Sequence, residues 1–273
     1  MLPILFKAGP VTIYSFGLFL TLGYLAAAFI LWREGKRQGY NEERLLDLSV
    51  MSLVVALVGA RAYFVLLHWD LFTAEPLSAL AFWQGGLAYH GSMVTVLIAG
   101  TYFVRRWKWS FFQIADIGAL SASIALVLGK IGTFLAGLDF GKETSLPWGM
   151  NFPGLVGTRH PVQLYEAGSY FIIFIFLYII YHRNLTSTEM KSGKVFFVFL
   201  ISTSLVRVGL EFFKADPAMI FSIPTAVLVS LIIAGFSIIG LYYFQIRLLK
   251  DDAKRILTGL LSLNSRFLRK IGL

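Results

Sequence analysis

Seven long apolar stretches constrain the fold of this chain more than any other feature. An α-helix needs about 20 mostly apolar residues to cross the hydrocarbon core of a bilayer, and each stretch reaches or approaches that length. Hydrophobic residues make up 57% of the chain and charged residues only 14%, whereas a soluble domain carries about 25% charged residues. We therefore predict an all-α polytopic membrane protein whose seven transmembrane helices cover residues 11–32, 46–67, 87–104, 112–136, 164–181, 195–213 and 221–244.

The basic residues are distributed unevenly among the segments between these stretches. Segments 33–44, 105–110 and 182–194, together with the tail after residue 246, hold 17 of the 24 lysines and arginines, and the alternate segments hold four. Basic segments remain in the cytoplasm. The pattern predicts an external N-terminus and a cytoplasmic C-terminus, and it attributes the net charge of +9 to loops rather than to nucleic-acid binding.

Two further segments and the absence of one residue type complete the predicted organisation. The transmembrane domain covers 1–245, and within it the Gly-rich loop 137–160 is expected to form a small external cap. The tail 246–273 alternates apolar and basic residues at helical spacing, which predicts an amphipathic helix on anionic lipid; a solvated helix or an oligomer contact is the alternative. Cysteine is absent, so disulfides, thiolate metal sites and a nucleophilic Cys are excluded. We expect no cleaved signal peptide, no metal site and no cofactor.

Ionisable residues inside the predicted spans mark the candidate site, because burying a charge in a bilayer is costly. With the predicted orientation, six such groups from five spans lie at one depth near the external boundary: Arg61, His90, Lys130, Glu166, Arg207 and Glu211. Three cations and a histidine against two carboxylates leave excess positive charge, which suits a lipid phosphate whose acyl chains stay in the bilayer.

Each of these residues also has a structural interpretation. Arg207 and Glu211 are four residues apart on one helical face and can form an ion pair that only holds spans together. Arg61 can extend its guanidinium to the outer surface, and His90 can be an ordinary packing residue. The convergence of all six at one depth favours a binding site.

Five segments resemble the motifs of the bacterial prolipoprotein diacylglyceryl transferase family, in order and over residues 9–217. GKIGTFLAGLDFG at 129–141 is similar to the family signature GRIGNFINxExxG. QGGLAYHG at 84–91 resembles EGGLxFHGG, and HPVQLYE at 160–166 resembles HPSQLYE. RVGLEFFKAD at 207–216 is similar to RxxxExFRxPD, and GARAY at 59–63 resembles a GARxxY-like segment of the family. The signature departs from the family pattern at Lys130 (Arg in the family), Thr133 and Ala136 (Asn) and Leu138 (Glu).

The resemblance implies a reaction and a role for each residue. The family transfers a diacylglyceryl group from phosphatidylglycerol to the lipobox cysteine of a prolipoprotein signal peptide, in the bacterial cytoplasmic (inner) membrane and without a cofactor. His90 is then the general base, and Arg207 and Lys130 hold the phosphate. The remaining expected substrate-binding residues are Arg61, Tyr89, Thr133, Gly141, Glu166 and Glu211.

Two other functions are compatible with these residues. A related phospholipid-dependent transferase could use a different acceptor, which the loss of a carboxylate at Leu138 favours. A non-catalytic lipid-binding membrane protein would keep the cationic site but would not need His90.

Overall fold

A computed structural model describes residues 1–9, 11–73, 75–186, 192–215, 219–220 and 223–246. Seven α-helices follow one another in this part of the chain: α1 Ser15–Arg37, α2 Glu42–Leu67, α3 Tyr89–Arg106, α4 Phe111–Ala136, α5 Val162–Leu185, α6 Lys194–Glu211 and α7 Thr225–Leu241. Three antiparallel strand pairs connect or precede them: β1 Ile4–Ala8 with β2 Val11–Tyr14, β3 Met150–Asn151 with β4 Thr158–Arg159, and β5 Met219–Ile220 with β6 Ile223–Pro224.

The predicted helical class is confirmed, and each predicted span coincides with one of these helices over most of its length. Helices α1, α2, α4, α5 and α7 (the last extended to Phe244) are long and apolar enough to cross a membrane. Helices α3 and α6 have 18 residues each, which corresponds to about 27 Å at 1.5 Å per residue. Seven spans and the orientation of the termini stay predictions. Residues 247–273, most of the predicted amphipathic tail, lie outside the described residues.

The first predicted span is wrong at both ends. Residues 11–14 form strand β2, since the β-branched Val11, Thr12 and Ile13 favour extended backbone, and α1 begins only at Ser15. At its other end α1 continues to Arg37, through residues that the sequence placed in a loop. Glu34 is fully buried there and pairs with Arg33 and Arg37, at 2.7 Å and 3.1 Å.

The contacts within the chain divide it into two compact units. Unit 2 covers 24–122, and unit 1 comprises 1–23 together with the residues after 122. In unit 2, α2 packs closely on α3 because glycines lie at the contact: a methyl group at Gly91 would overlap the carbonyl oxygen of Gly59. Tyr40 donates a hydrogen bond to Gln113 Oε1 at 2.6 Å, and burial raises the pKa of its hydroxyl group.

Unit 1 is organised around α5, α6 and α7. Helix α6 packs against both α5 and α7, and apolar side chains such as Val162, Leu177 and Val195 are fully buried. The β3–β4 hairpin lies in the loop that was predicted as a cap, residues 137–160. An isolated bridge between Gly141 and Lys214 joins this loop to the segment after α6. The loop is therefore an ordered part of unit 1.

Candidate active site

Glu166 forms the centre of a buried charge cluster in unit 1. Its carboxylate lies in the second turn of α5 and is 1% exposed. Oε2 is 2.5 Å from the Lys130 Nζ on α4, and Oε1 is 3.3 Å from the Lys214 Nζ that follows α6. One carboxylate thus holds two ammonium groups from different parts of the sequence. The sequence predicted Lys130 and Glu166 for one site, and the structure places them in direct contact.

Two more carboxylates extend this cluster at its ends. Asp139 Oδ2 lies 3.1 Å from Lys130 Nζ, and Glu211 Oε2 lies 3.6 Å from Lys214 Nζ. The five residues form a continuous row of alternating charges, which we call the Glu166 cluster: Asp139, Lys130, Glu166, Lys214 and Glu211. Burial acts to raise the pKa of Asp139, but the positive charges of Lys130, Lys214 and Arg207 outweigh it and hold that pKa below its ordinary value.

The Glu166 cluster contains two cations and three carboxylates. Arg207, whose positive charge acts on Asp139, supplies a third cation and balances them. The excess of positive charge that the sequence predicts therefore depends on Arg61 and His90, which belong to unit 2. A phosphate that binds Lys130 has to compete with the carboxylates that already hold it.

Lys214 and Asp139 are the members of the cluster that the sequence analysis missed. Lys214 occupies the position of the second arginine in the motif RxxxExFRxPD, so its motif position was an available signal. Asp139 lies at a variable position of the signature. It is brought to Lys130 by a left-handed backbone conformation, φ 57°, which the sequence does not reveal.

Gly141 connects the cluster to the loop through its backbone. Its N–H donates to the His160 carbonyl at 3.0 Å, and the next N–H, of Lys142, donates to the Phe213 carbonyl at 2.8 Å. A Cβ atom at Gly141 would lie 2.7 Å from both carbonyl oxygens, so only glycine fits. Thr133 donates its hydroxyl proton to the Lys130 carbonyl at 2.9 Å. Gly141 and Thr133 thus stabilise the backbone around Lys130.

The segment 160–166 supplies a second set of contacts around the cluster. Gln163 is fully buried, and its amide donates a hydrogen bond to the Leu138 carbonyl. This hydrogen bond fixes the backbone directly before Asp139. Tyr165 accepts a hydrogen bond from Trp148 Nε1 at 2.8 Å, and His160 Nδ1 lies 3.3 Å from the Tyr165 hydroxyl. The HPVQLYE motif therefore positions Glu166, while other residues of the same motif (His160, Gln163 and Tyr165) form hydrogen bonds that stabilise the loop 137–160.

Arg61 of unit 2 has a different environment. Its guanidinium donates four hydrogen bonds to backbone carbonyls: Ser78 at 2.8 Å, Ala79 at 2.8 Å, Gly85 at 2.6 Å and Gly86 at 3.1 Å. It also lies over the Phe72 ring, 5.3 Å from the centroid. These hydrogen bonds connect Arg61 to residues 78–86. Because carbonyl acceptors are neutral, they do not neutralise the positive charge of the guanidinium.

Tyr89 and His90 begin α3, directly after the segment that Arg61 fixes. Their side chains lie outside the described part of the chain. The backbone around them is anchored on α2, since Ala88 N–H donates to the Ala60 carbonyl at 3.0 Å. Among the described residues, no group of three or more His, Asp or Glu side chains could hold a metal ion.

The comparisons with known proteins agree on one family. The family model described as prolipoprotein diacylglyceryl transferase matches residues 3–243. A relative from Geobacter sulfurreducens, named phosphatidylglycerol–prolipoprotein diacylglyceryl transferase, is 34% identical over 225 residues, which cover 80% of this chain and 84% of the relative. A relative of the same name from Nostoc sp. is 31% identical over 254 residues, 90% of each chain.

The matched region contains all the residues of the Glu166 cluster, Arg61 and the start of α3. The family resemblance read from five short motifs is thus confirmed over nearly the whole chain. This protein belongs to the prolipoprotein diacylglyceryl transferase family.

Proposed function

We propose that this chain transfers a diacylglyceryl group from phosphatidylglycerol to the lipobox cysteine thiol of prolipoproteins. The single observation that carries the proposal is the family match over residues 3–243. The cations of the Glu166 cluster support it, because an anionic phospholipid requires positive charge that is held at membrane depth.

The proposed setting is the bacterial cytoplasmic (inner) membrane. All seven helices cross it, with residues 1–245 as the transmembrane domain, the N-terminus outside and the C-terminus in the cytoplasm. The basic segments 33–44, 105–110 and 182–194 then face the cytoplasm, in agreement with the positive-inside rule. Lys130, Glu166 and Arg207 come to lie towards the external side, and the tail 246–273 rests on the inner leaflet.

The reaction exchanges one bond on the glyceryl group of the lipid. The cysteine sulfur forms a thioether bond to the glyceryl carbon, and the bond from that carbon to the phosphate oxygen breaks. Glycerol phosphate leaves and takes the electron pair of the broken bond. His90 accepts the thiol proton, since a neutral imidazole titrates near physiological pH. No nucleophile on the enzyme is needed, which agrees with the absence of cysteine.

Lys130 and Arg207 bind the phosphate and stabilise the negative charge that develops on the leaving group. Glu166 keeps Lys130 in place from the opposite side, and the lipid phosphate takes the position of the more exposed Asp139 carboxylate. Thr133, Gly141, Glu211 and Tyr89 complete the substrate-binding surface. Arg61 acts on the reaction indirectly. Its hydrogen bonds connect α2 to residues 78–86, and this segment precedes His90 in the sequence.

A transfer assay with labelled phosphatidylglycerol and a lipobox peptide tests the function. We expect label on the peptide with the wild-type chain, and none with His90→Gln or Arg207→Ala, while both variants stay folded in detergent. Lys142→Met, a change at an exposed loop lysine, serves as the matched control and keeps full activity. Full activity of both site variants would contradict the assigned roles.

Complementation separates the alternatives. Rescue of a strain depleted of its own transferase supports the prolipoprotein as acceptor. Failure to rescue, with phosphatidylglycerol consumed in membranes, would identify a transferase with another acceptor. Failure of both rescue and consumption would identify a lipid-binding protein without catalysis.

A further inference from the structure

The other end of α3 carries a basic pocket that the proposed reaction does not use. It encloses about 460 Å³. Its lining, all within unit 2, comprises Arg44, Tyr102, Phe103, Arg106, Trp107 and Lys108. Arg106 is 16 residues from His90, about 24 Å along the helix. The pocket is therefore separate from the start of α3, where His90 lies.

Within the described part of the chain, the cations of this pocket have no carboxylate partner. Among the described residues, no carboxylate lies within 4.0 Å of Arg44, Arg106 or Lys108. Arg44 instead lies over the Trp107 ring, 6.0 Å from the centroid. It belongs to the first turn of α2, which also carries Glu42 and Glu43; Glu42 pairs with Lys36 at 2.9 Å. Among the described residues, the pocket thus holds three cations without a carboxylate in ion-pair contact, whereas Lys130 and Lys214 of the Glu166 cluster each contact two carboxylates.

The chain backbone keeps these cations in place. Helix α3 ends in a closed turn, in which Lys108 N–H donates to Arg105 and Trp109 N–H donates to Val104. Lys108 has a left-handed backbone, φ 56°. Trp107 and Trp109 contact each other with ring centroids 4.9 Å apart, and Trp109 also contacts Tyr40 at 4.7 Å. Aromatic residues of this kind are typical of the membrane–water interface.

An apolar groove continues from the pocket along α3. It is an open surface groove of about 690 Å³ and shares Tyr102 and Arg106 with the pocket. Its remaining lining residues are Leu97, Ile98, Thr101 and Arg105, which lie on one face of the helix. From Arg106 to Leu97 the groove extends about 13 Å. A ligand that fills both cavities needs an anionic head and an apolar chain.

We propose that the basic pocket and this groove bind an anionic phospholipid of the surrounding bilayer, with the phosphate between Arg44 and Arg106 and an acyl chain along Leu97 and Ile98. Basic pockets between membrane helices bind anionic head groups in this way. The phosphate neutralises cations that no carboxylate of the described residues contacts. The lipid binds here as a structural ligand and takes no part in transfer.

Lipid titration of the purified full chain in detergent, followed by native mass spectrometry and thermal unfolding, tests this proposal. Dioleoylphosphatidylserine is the probe, dioleoylphosphatidylcholine the neutral control, and glycerol 3-phosphate a phosphate ligand without acyl chains. Each cation near an anionic lipid contributes roughly fivefold in affinity. We therefore expect Arg44→Gln with Arg106→Gln to weaken phosphatidylserine binding about 30-fold, while transfer activity is retained.

Two further variants separate this site from the alternatives. Arg183→Gln removes an exposed basic residue in the last turn of α5, and we expect it to leave the binding unchanged. Lys130→Met removes a cation of the Glu166 cluster, and we expect it to abolish transfer and to leave phosphatidylserine binding at the basic pocket unchanged. Equal affinity for phosphatidylcholine, equal weakening by Arg183→Gln, or competition by glycerol 3-phosphate at the affinity of the whole lipid would overturn the proposal.

Discussion

Arg61 and Lys130 are both cations inside predicted spans, but the structure gives them different kinds of partner. Arg61 donates to four neutral backbone carbonyls of residues 78–86. Lys130 contacts two carboxylates, those of Glu166 and Asp139. From the sequence, both cations are expected in one substrate-binding site, with Lys130 holding the phosphate and Arg61 among the other substrate-binding residues.

The difference shows how one type of charge can serve two purposes. A guanidinium has five N–H donors in a rigid plane and can hold a curved segment of backbone. An ammonium is a compact charge that exchanges partners easily, so a phosphate can replace a carboxylate beside it. Arg61 is thus suited to a fixed structural role, and Lys130 is suited to bind a ligand that arrives and leaves.

Glu166→Gln has the largest expected effect. The substitution leaves the ammonium groups of Lys130 and Lys214 without their shared buried carboxylate, and breaking a buried ion pair costs about 3–5 kcal/mol. We expect thermal or denaturant unfolding in detergent to show that loss. The matched control is Glu143→Gln, whose 70% exposed carboxylate pairs with Arg159 at 3.1 Å and contributes less than about 1 kcal/mol. Equal stability of the two variants would mean that Glu166 is not the centre of the cluster.

Arg61→Lys tests the other side of the comparison. Lysine keeps the charge but loses the planar donors, so hydrogen bonds to residues 78–86 are lost at a cost of about 2 kcal/mol. Transfer activity is expected to fall at least tenfold, because the segment before His90 is no longer fixed. If Arg61 only supplied charge to the phosphate, the lysine variant would keep its activity. Unfolding measurements and transfer assays on the same preparation distinguish these results.

Gly91→Ala extends the test to the packing that supports His90. A methyl group at Gly91 would overlap the Gly59 carbonyl and force α2 and α3 apart, at a cost of about 1–3 kcal/mol. Gly100→Ala, on the same helix, meets nothing within 4 Å and should be neutral or slightly stabilising. A stable and active Gly91 variant would show that close packing at this point is dispensable.

Asp139→Asn is expected to have the smallest effect on stability and an informative effect on binding. The Asp139 side chain is 51% exposed, so its pair with Lys130 contributes less than about 1 kcal/mol. Asparagine tolerates the left-handed backbone at this position. With Asp139 neutral, Lys130 is less compensated, and the KM for phosphatidylglycerol should fall. A rise in KM would indicate that Asp139 assists binding.

The pH dependence of this pair follows from the lowered pKa of Asp139. A carboxyl group with a lower pKa in the folded state stabilises the fold above its unfolded pKa, about 4, and this contribution is lost as the pH falls further. The wild-type chain should therefore lose a small stability component below about pH 4 that the asparagine variant lacks. Between pH 6 and 8 the difference between the two should be constant.

The sequence was sufficient for the helices and for part of the site. Apolar length located α2 to α7 to within a few residues, and the common depth of the ionisable residues in the predicted spans grouped Lys130, Glu166 and Glu211. It failed at residues 11–14, where strand β2 replaces the start of a helix, and at residues 33–37, through which α1 continues and where the buried Glu34 pairs with Arg33 and Arg37. It missed Asp139 and Lys214, because their contacts depend on a left-handed residue and on a bridge between distant segments.

The most direct test of the account is the mass of a lipobox peptide after incubation with the purified chain in phosphatidylglycerol vesicles. The wild type and Lys142→Met are expected to add one diacylglyceryl group to the cysteine, whereas Lys130→Met adds none and remains folded. A Lys130→Met variant that modifies the peptide at the wild-type rate would contradict the claim that this cluster binds the lipid phosphate.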